Sequence, residues 1–506
     1  LHCLNKKEVR TEFDLITMEI FLKRLSSQLL SLVALFALSF MHSLTSLAQG
    51  AEAQNSVIPE RIQLVIDGHN LPPSSFSFYV QEVGQDNPDL SVNADLPMNP
   101  ASAIKTLTTF AALESLGPAF TWQTELYALG PIENGVLRGD LLMKGGGDPF
   151  LVEDQLRAML KSLQRAGVEH ITGNLVLDGS YFDASVEEGE LIDNQNGRAY
   201  NTDPNAIIAN FQAMTFFFYP HANGRDVIIH TDPRLPNVKI SNRLRQVNRS
   251  CGGYQRGISF NLNPDDPSEV IFEGQFPSRC SRYQMVREVL DAPDYTFGLF
   301  KELWSELGGQ LGGDLRRGAV PDELDPIVIW NSVPMSDIIK SINKFSNNLM
   351  TRHLLLTLGA EVLGPPATVE KGIEAINNYL ELKSLDSKQL SLSNGAGLSR
   401  DTRITAVLLN EVMQSAWASP YMPEYVASLP LNGMDGTMRN RARGSKMSGR
   451  MHVKTGSLDE VSAVNGFVYS QSNRVFAVTG MVNHELADRG PGTELLDALL
   501  IWTYLQ

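Results

Sequence analysis

Ile104, Leu107, Phe110, Ala111 and Leu113 recur at helical spacing, with Pro100 ahead of the run and Gly117-Pro118 behind it. A proline suits a helix's first turn, where its fixed φ and missing N–H cost nothing. The pattern predicts a helix that begins just after Pro100 and stops at Gly117. Upstream, Arg61–Val83 carries alternating apolar positions (Ile62, Leu64, Ile66) and a Gly68-His69-Asn70 turn, which predict a hairpin. Strand-like sequence follows Gly117-Pro118 as far as the turn cluster Lys144-Gly145-Gly146-Gly147-Asp148-Pro149. An amphipathic helix, Glu153 to Ala166, and a strand, Asn174–Asp178, come next. The order recurs over Thr296–Ala319, with Leu299, Leu303 and Leu307 on a helix, a Gly-Gly stop, then Gly312-Gly313-Asp314-Leu315. These read as two halves of one α/β domain. Between them Phe218–Pro277 is rich in short β-like runs and Pro/Asn/Gly turns, the pattern of a nested all-β module.

Beyond Val320 helices dominate. Ser336 is placed to cap one through Phe345, Asn348–Leu358 forms the next, and Ile404–Ser415 follows the loop Ser393-Asn394-Gly395-Ala396-Gly397. A strand begins at Met451. A hairpin pairs Asn465–Tyr469 with Arg474–Val482 across Gln471-Ser472-Asn473, and Leu495–Leu505 closes as a helix. A strand-rich start, a helical centre and a late hairpin describe one domain whose sheet is completed from both ends of the chain. The fold class is α/β (α+β) and multidomain.

The length of 506 residues agrees, since it exceeds one ordinary core and suggests two or three domains. An apolar fraction of 43 % with 20 % charged residues is that of a soluble globular protein. A net charge of −15 argues against nucleic acid or an anionic membrane as partner. No Gly-x-Gly-x-x-Gly or P-loop opens a helix, so no nucleotide cofactor is indicated. At the N-terminus Lys23-Arg24 precedes the apolar run Leu29–Leu38, and Ser46-Leu47-Ala48 follows. That order describes an export signal cleaved after Ala48, with residues 1–17 an extension ahead of Met18. Cleavage removes Cys3 and leaves Cys251 and Cys280, for which a disulfide and two buried thiols are the alternatives; an exported protein favours the disulfide.

Three short motifs carry the candidate chemistry: Ser-x-x-Lys at Ser102 and Lys105, Ser-x-Asn at Ser346 and Asn348, and Lys-Thr-Gly at Lys454, Thr455 and Gly456. Spacing alone decides little, because Ser341-Ile342-Asn343-Lys344 repeats the first, and Ser91-Val92-Asn93 the second. The ordered set, each member in suitable secondary structure, is that of penicillin-binding proteins and serine β-lactamases. A serine needs a base within hydrogen-bond reach. None of the nine histidines sits in a motif with an acid partner, so Lys105 is the candidate base and Ser102 the nucleophile. A lysine becomes a base only when burial or a second cation lowers its pKa, and Lys454 is available as that cation. Ser346 is the candidate proton shuttle and Asn348 the holder of the substrate amide. Lys454 and Thr455 are the candidate carboxylate site, and the N–H groups of Ser102 and Ser457 the oxyanion hole. There is no His-Glu-x-x-His, and neither a metal nor another cofactor is expected.

The resemblance extends further. Pro100-Ala101-Ser102, Thr108–Glu114, Asn134–Leu141, Gly145–Pro149, Gly395–Arg400 and Leu429–Met438 resemble the penicillin-binding protein 4 family. These are the class C low-molecular-mass D-alanyl-D-alanine carboxypeptidase/endopeptidases (peptidase S13-like). The resemblance spans the mature chain and implies a β-lactamase/transpeptidase-like catalytic domain with an inserted α/β domain that itself carries the all-β domain. It also accounts for the separation of 244 positions from Ser102 to Ser346. The boundaries expected are 49–108 and 326–506 for the catalytic domain, 109–205 and 284–325 for the α/β insert, and 206–283 for the β-rich part. Ala103 and Asn347 stand where the family usually has Thr and Asp, both at variable positions, and Leu191–Asn196 lacks the family's tryptophan. The resemblance implies a periplasmic enzyme acting on peptidoglycan peptides and bound by β-lactam antibiotics, with peripheral membrane contact possible. The alternatives are a serine β-lactamase and a catalytically idle cell-wall binding protein.

Overall fold

A computed structural model describes residues 56–184, 186, 200–253, 257–321 and 323–506. The export signal and the stretch Leu191–Asn196 lie outside the described residues.

Strands from both ends of the chain form one antiparallel sheet, in the order Met451–Leu458, Val461–Tyr469, Val475–Asn483, Phe76–Glu82, Leu90–Val92. Successive strand residues face opposite sides. Ala463, Phe467, Ala477 and Met481 therefore enter a core with Leu107, Phe110, Ile338 and Leu354. Val464, Val468, Val478 and Val482 enter a second core with Ile62, Leu495 and Leu499. The helix Lys105–Leu116 lies in the first of these cores, buried almost throughout, and ends at Gly117.

The hairpin expected over Arg61–Val83 does not form: Glu60–His69 is a helix, and only the strand Phe76–Glu82 follows it. Its buried residues are Ile62 and Ile66, one helical turn apart, while Leu64 is 65 % exposed. The apparent alternation counted an exposed leucine as a core position. Asn70 closes the helix in the left-handed conformation. The cap expected at Ser336 is also displaced: the helix Met335–Phe345 starts behind Pro334, so Ser336 lies inside its first turn. Asn348–Leu363 runs past Leu358 to Gly364, and the helix Val369–Leu382 packs on it, an element the sequence pattern did not reveal. Gly359 and Gly372 let the two approach, since a Cβ on Gly359 would stand 2.7 Å from the Gly372 nitrogen.

The central segment holds a mixed sheet in the order Leu315–Arg317, Leu175–Asp178, Asp140–Gly145, Gln123–Leu129, Val328–Asn331. Helices Glu153–Arg165 and Ala292–Glu306 cover it. The β-rich part comprises two three-stranded sheets, with strands running from Ala213 to Glu288. Its core is aromatic: Phe272 lies edge-on to Phe216 and Phe218 at 4.9 and 5.1 Å. These rings share one core with Leu126, Leu160 and Trp304, so the β-rich part packs into the α/β core. Cys251 and Cys280 are disulfide-bonded. Among the described residues no helix is long and apolar enough to cross a membrane.

Candidate active site

Ser102 lies in a 3-10 turn, Ala101–Ile104, that runs directly into the helix Lys105–Leu116. Ala101 is buried at φ 43°, an unusual conformation for a residue with a Cβ, and the surroundings hold it there. The Asn99 side chain accepts from the Ala101 N–H at 2.8 Å and donates to the Ser399 carbonyl at 2.9 Å. Asn483 clasps the Asn99 backbone, accepting from its N–H and donating to its carbonyl. Two glycines allow the remaining close approaches. A Cβ on Gly397 (φ 73°) would overlap the Ala101 carbonyl, and one on Gly456 would overlap the Pro100 carbonyl and stand 3.1 Å from the Ser102 nitrogen. Gly456 thus brings the Met451–Leu458 strand against the turn that carries Ser102.

Lys105 is fully buried. Its Nζ stands in hydrogen-bond contact with Ser102 Oγ at 2.9 Å and donates to Asn348 Oδ1 at 2.7 Å and to the Ala396 carbonyl. Burial holds its pKa well below the usual lysine range, and the charges of Lys454 and Arg352 push the same way. Lys454, also fully buried, donates to Ser346 Oγ at 2.9 Å and to the Thr455 carbonyl at 2.7 Å, and burial pushes its pKa down to about 7. Opposite Lys454 on the adjacent strand stands Asn465, which donates to Thr106 Oγ1 at 2.8 Å and so ties strand to helix.

Ser346 and Asn348 sit at a helix–helix turn. Ser346, at φ 56°, ends Met335–Phe345. Asn347 caps the next helix, its side chain accepting from the Met350 N–H at 3.0 Å, which places Asn348 in the first turn. The variable middle position of Ser-x-Asn therefore has a definite task, which Asn performs as Asp does. Thr455 Oγ1 meets Thr437 Oγ1 at 2.9 Å, and Ser457 is exposed on the same strand.

The five polar side chains form two hydrogen-bonded groups, Ser102–Lys105–Asn348 and Ser346–Lys454, coupled through the charges of the two lysines. Cys251 and Cys280 belong to the β-rich part. Neither Ala396 nor Thr437 belongs to one of the three motifs. Ala396 acts through its carbonyl, and its flanking glycines were the only local signal. Among the described residues no cluster of three or more His, Cys, Asp or Glu is placed to hold a metal ion. His353 is buried against Phe182 and the Gly147 carbonyl, with its pKa pushed down to about 4 by burial.

The fold is that of the transpeptidase-like serine enzymes, with a large insertion between the Ser-x-x-Lys turn and the Ser-x-Asn turn. Residues 60–501 match the D-Ala-D-Ala carboxypeptidase 3 (S13) family, and the chain belongs to it. It is an enzyme of the serine DD-carboxypeptidase class. A D-alanyl-D-alanine carboxypeptidase of Actinomadura sp. (strain R39) is 25 % identical over 451 residues, 86 % of this chain and 83 % of the relative. D-alanyl-D-alanine carboxypeptidase DacB of Haemophilus influenzae is 24 % identical, covering 91 % of this chain and 94 % of the relative. The crystal structure of Haemophilus influenzae penicillin-binding protein 4 superposes with a TM-score of 0.75 at 22 % identity, over 88 % of this chain and all of that one.

Proposed function

We propose that the protein is an exported serine DD-peptidase that cleaves D-alanine-terminated stem peptides of peptidoglycan, and their crosslinks, through an acyl-enzyme on Ser102. The observation that carries the reading is the set of acceptors around Lys105. Asn348 Oδ1 and the Ala396 carbonyl can only accept hydrogen bonds. They take both N–H bonds of a neutral amine and turn its lone pair toward Ser102 Oγ, 2.9 Å away. Burial and the second lysine favour that neutral form.

Ser102 Oγ adds to the carbonyl carbon of the D-Ala-D-Ala bond as its proton passes to Lys105 Nζ. The N–H groups of Ser102 and Ser457 take the oxyanion. When the C–N bond breaks, the proton held by Lys105 is relayed through Ser346, whose Oγ is held by Lys454, to the departing nitrogen, which leaves Lys105 neutral and an ester on Ser102. Water, deprotonated by Lys105, attacks that ester and restores the serine. Lys454 and Thr455 hold the terminal carboxylate, Asn348 the substrate amide, and Gly456 lets the strand close on the Ser102 turn.

The complex of the Haemophilus influenzae protein with a β-lactam supports the reading that a β-lactam acylates Ser102 here. Lys23-Arg24, Leu29–Leu38 and Ser46-Leu47-Ala48 support export, with a mature N-terminus near Gln49. Release of D-alanine from a D-Ala-D-Ala peptide, measured beside nitrocefin hydrolysis, tests the function. The expected result is sustained peptide cleavage with nitrocefin consumed only slowly. Rapid nitrocefin turnover without D-alanine release assigns a β-lactamase, and neither activity assigns an idle binding protein.

A further inference from the structure

Four residues beyond Asn348, on the same face of the helix Asn348–Leu363, stands Arg352. One turn separates the two, about 6 Å along the axis. Asn348 Oδ1 is itself 2.7 Å from Lys105 Nζ. Met350 and Leu354 of this helix share a core with Leu107 and Phe110, so it is fixed against the helix that carries Lys105. Arg352 is only 2 % exposed, and the inserted segment holds it. Its guanidinium donates to the Thr202 carbonyl and stands 3.8 Å from a carboxylate oxygen of Asp203. Thr202 in turn donates to Glu288 at 3.2 Å, and Gln212 donates to the other oxygen of that carboxyl group at 3.1 Å. The next residue, His353, anchors the same turn to the insert, meeting the Gly147 carbonyl at 3.0 Å and accepting the Asn205 N–H at 3.4 Å. A cation is thus built into the joint between the insert and the helix that bears Asn348.

The charges around this cation do not cancel it. The Asp203 side chain is 69 % exposed, so water screens it, while the guanidinium lies inside the fold. Burial holds the Glu288 carboxyl above the usual carboxylate range, and His353, pushed down to about 4 by burial, is neutral near pH 7. On its other side Lys105 faces Lys454 of the strand Met451–Leu458, and the loop that carries Ala396 offers it only a carbonyl. Lys454 loses its charge near pH 7, whereas a guanidinium keeps its charge across the working range. We propose that Arg352 is a positioning residue for acylation, a permanent buried cation through which the inserted segment keeps Lys105 ready as a base. The proposal rests on the acyl-enzyme reading above, in which Lys105 Nζ takes the Ser102 proton only as a neutral amine. Burial and Lys454 already disfavour the ammonium form, and Arg352 adds a like charge that does not titrate. The insert therefore does more than enlarge the molecule: it fixes where that charge stands relative to the base.

The rate constant for penicillin acylation, followed from acid to alkaline pH in wild type and two variants, tests this. Arg352→Met removes the charge and keeps the length of the side chain. Without that cation the ammonium form of Lys105 is easier to hold, so the acid limb of the profile is expected to move up by about one pH unit. Acylation at a fixed pH on that limb then falls about tenfold. The alkaline limb, which Lys454 sets, is expected to stay in place. Asp203→Asn removes the anion beside Arg352 and is expected to move the acid limb the opposite way, with acylation about twofold faster on it. An acid limb at its wild-type pH in Arg352→Met protein overturns the proposal. So does a rate lowered equally at every pH, which is what a merely structural role would give. Should Arg352→Met take no penicillin at any pH, Asp203→Asn decides alone, and an acid limb that stays or moves up overturns the proposal. Wild-type protein with no adduct on Ser102 brings down the acyl-enzyme reading itself. Labelled Ser102 with an unmoved limb brings down the role of Arg352 alone.

Discussion

Ser102–Lys105 and Ser341–Lys344 have the same residue types at the same spacing, and the fold treats them in opposite ways. The first tetrad spans a 3-10 turn and the first residue of a helix, with the Gly456 strand and the Gly397 loop pressed against it. Its lysine is buried and bonded to its own serine. The second lies within the helix Met335–Phe345. There Lys344 turns away to Asp435 and holds a loop, while Ser341 lines a neighbouring cavity. Ser-x-Asn divides similarly. Asn348 reaches Lys105 from a helix start, whereas Asn343 is buried on Thr109 and Ser428, and Asn93 bonds the carbonyls of Pro73 and Phe76. The tetrad proposed for the chemistry stands at a chain reversal that other elements close upon. Within a regular helix the same residues do structural work.

The largest effect belongs to Ser102, the proposed nucleophile. Ser102→Ala is expected to abolish both D-alanine release and covalent penicillin labelling, checked by product assay and fluorescent penicillin on the folded variant. Lys105→Ala comes next: loss of a general base costs about 10²–10⁴ in rate, read as the second-order rate constant for penicillin acylation. The pH profile gives a smaller, graded effect. As the proposed base, Lys105 acts only when neutral, so acylation is expected to rise with pH through its depressed pKa and to fall away below it. In the proposed mechanism Lys454 binds carboxylate only when charged, and its pKa is pushed down to about 7, so KM for the peptide is expected to rise above that pH. A profile in which acylation falls as pH rises from acid to neutral would contradict this order. The smallest effect is at the second tetrad, where Ser341→Ala is expected to leave penicillin labelling within about twofold of wild type.

Much of this contrast was legible in the sequence. Pro100 announced the helix start, Lys-Thr-Gly stood on a strand-like run, and the late hairpin implied a sheet closed from both ends, as the pairing of Phe78 with Gly480 shows. The Lys105–Ala396 contact was not legible, because a backbone carbonyl has no side-chain signature. The turn Ser346–Asn348 was legible as a break between helices, but the capping role of Asn347 needed the bond to Met350. The helix Glu60–His69 was misread because three apolar residues at every second position fit a strand, and only the exposure of Leu64 separates the readings. The common core of the β-rich and α/β parts joins residues as distant as Leu126 and Phe272, a pairing that local patterns do not encode.

Locating the penicillin adduct by mass spectrometry tests the central claim most directly. Mature protein is labelled, digested and sequenced across the peptides that contain Ser102, Ser341 and Ser346. A single acyl group on Ser102 is the result expected from a serine held by a buried lysine at a closed turn. An adduct on Ser341 or Ser346, or undiminished labelling of Ser102→Ala protein, would contradict it.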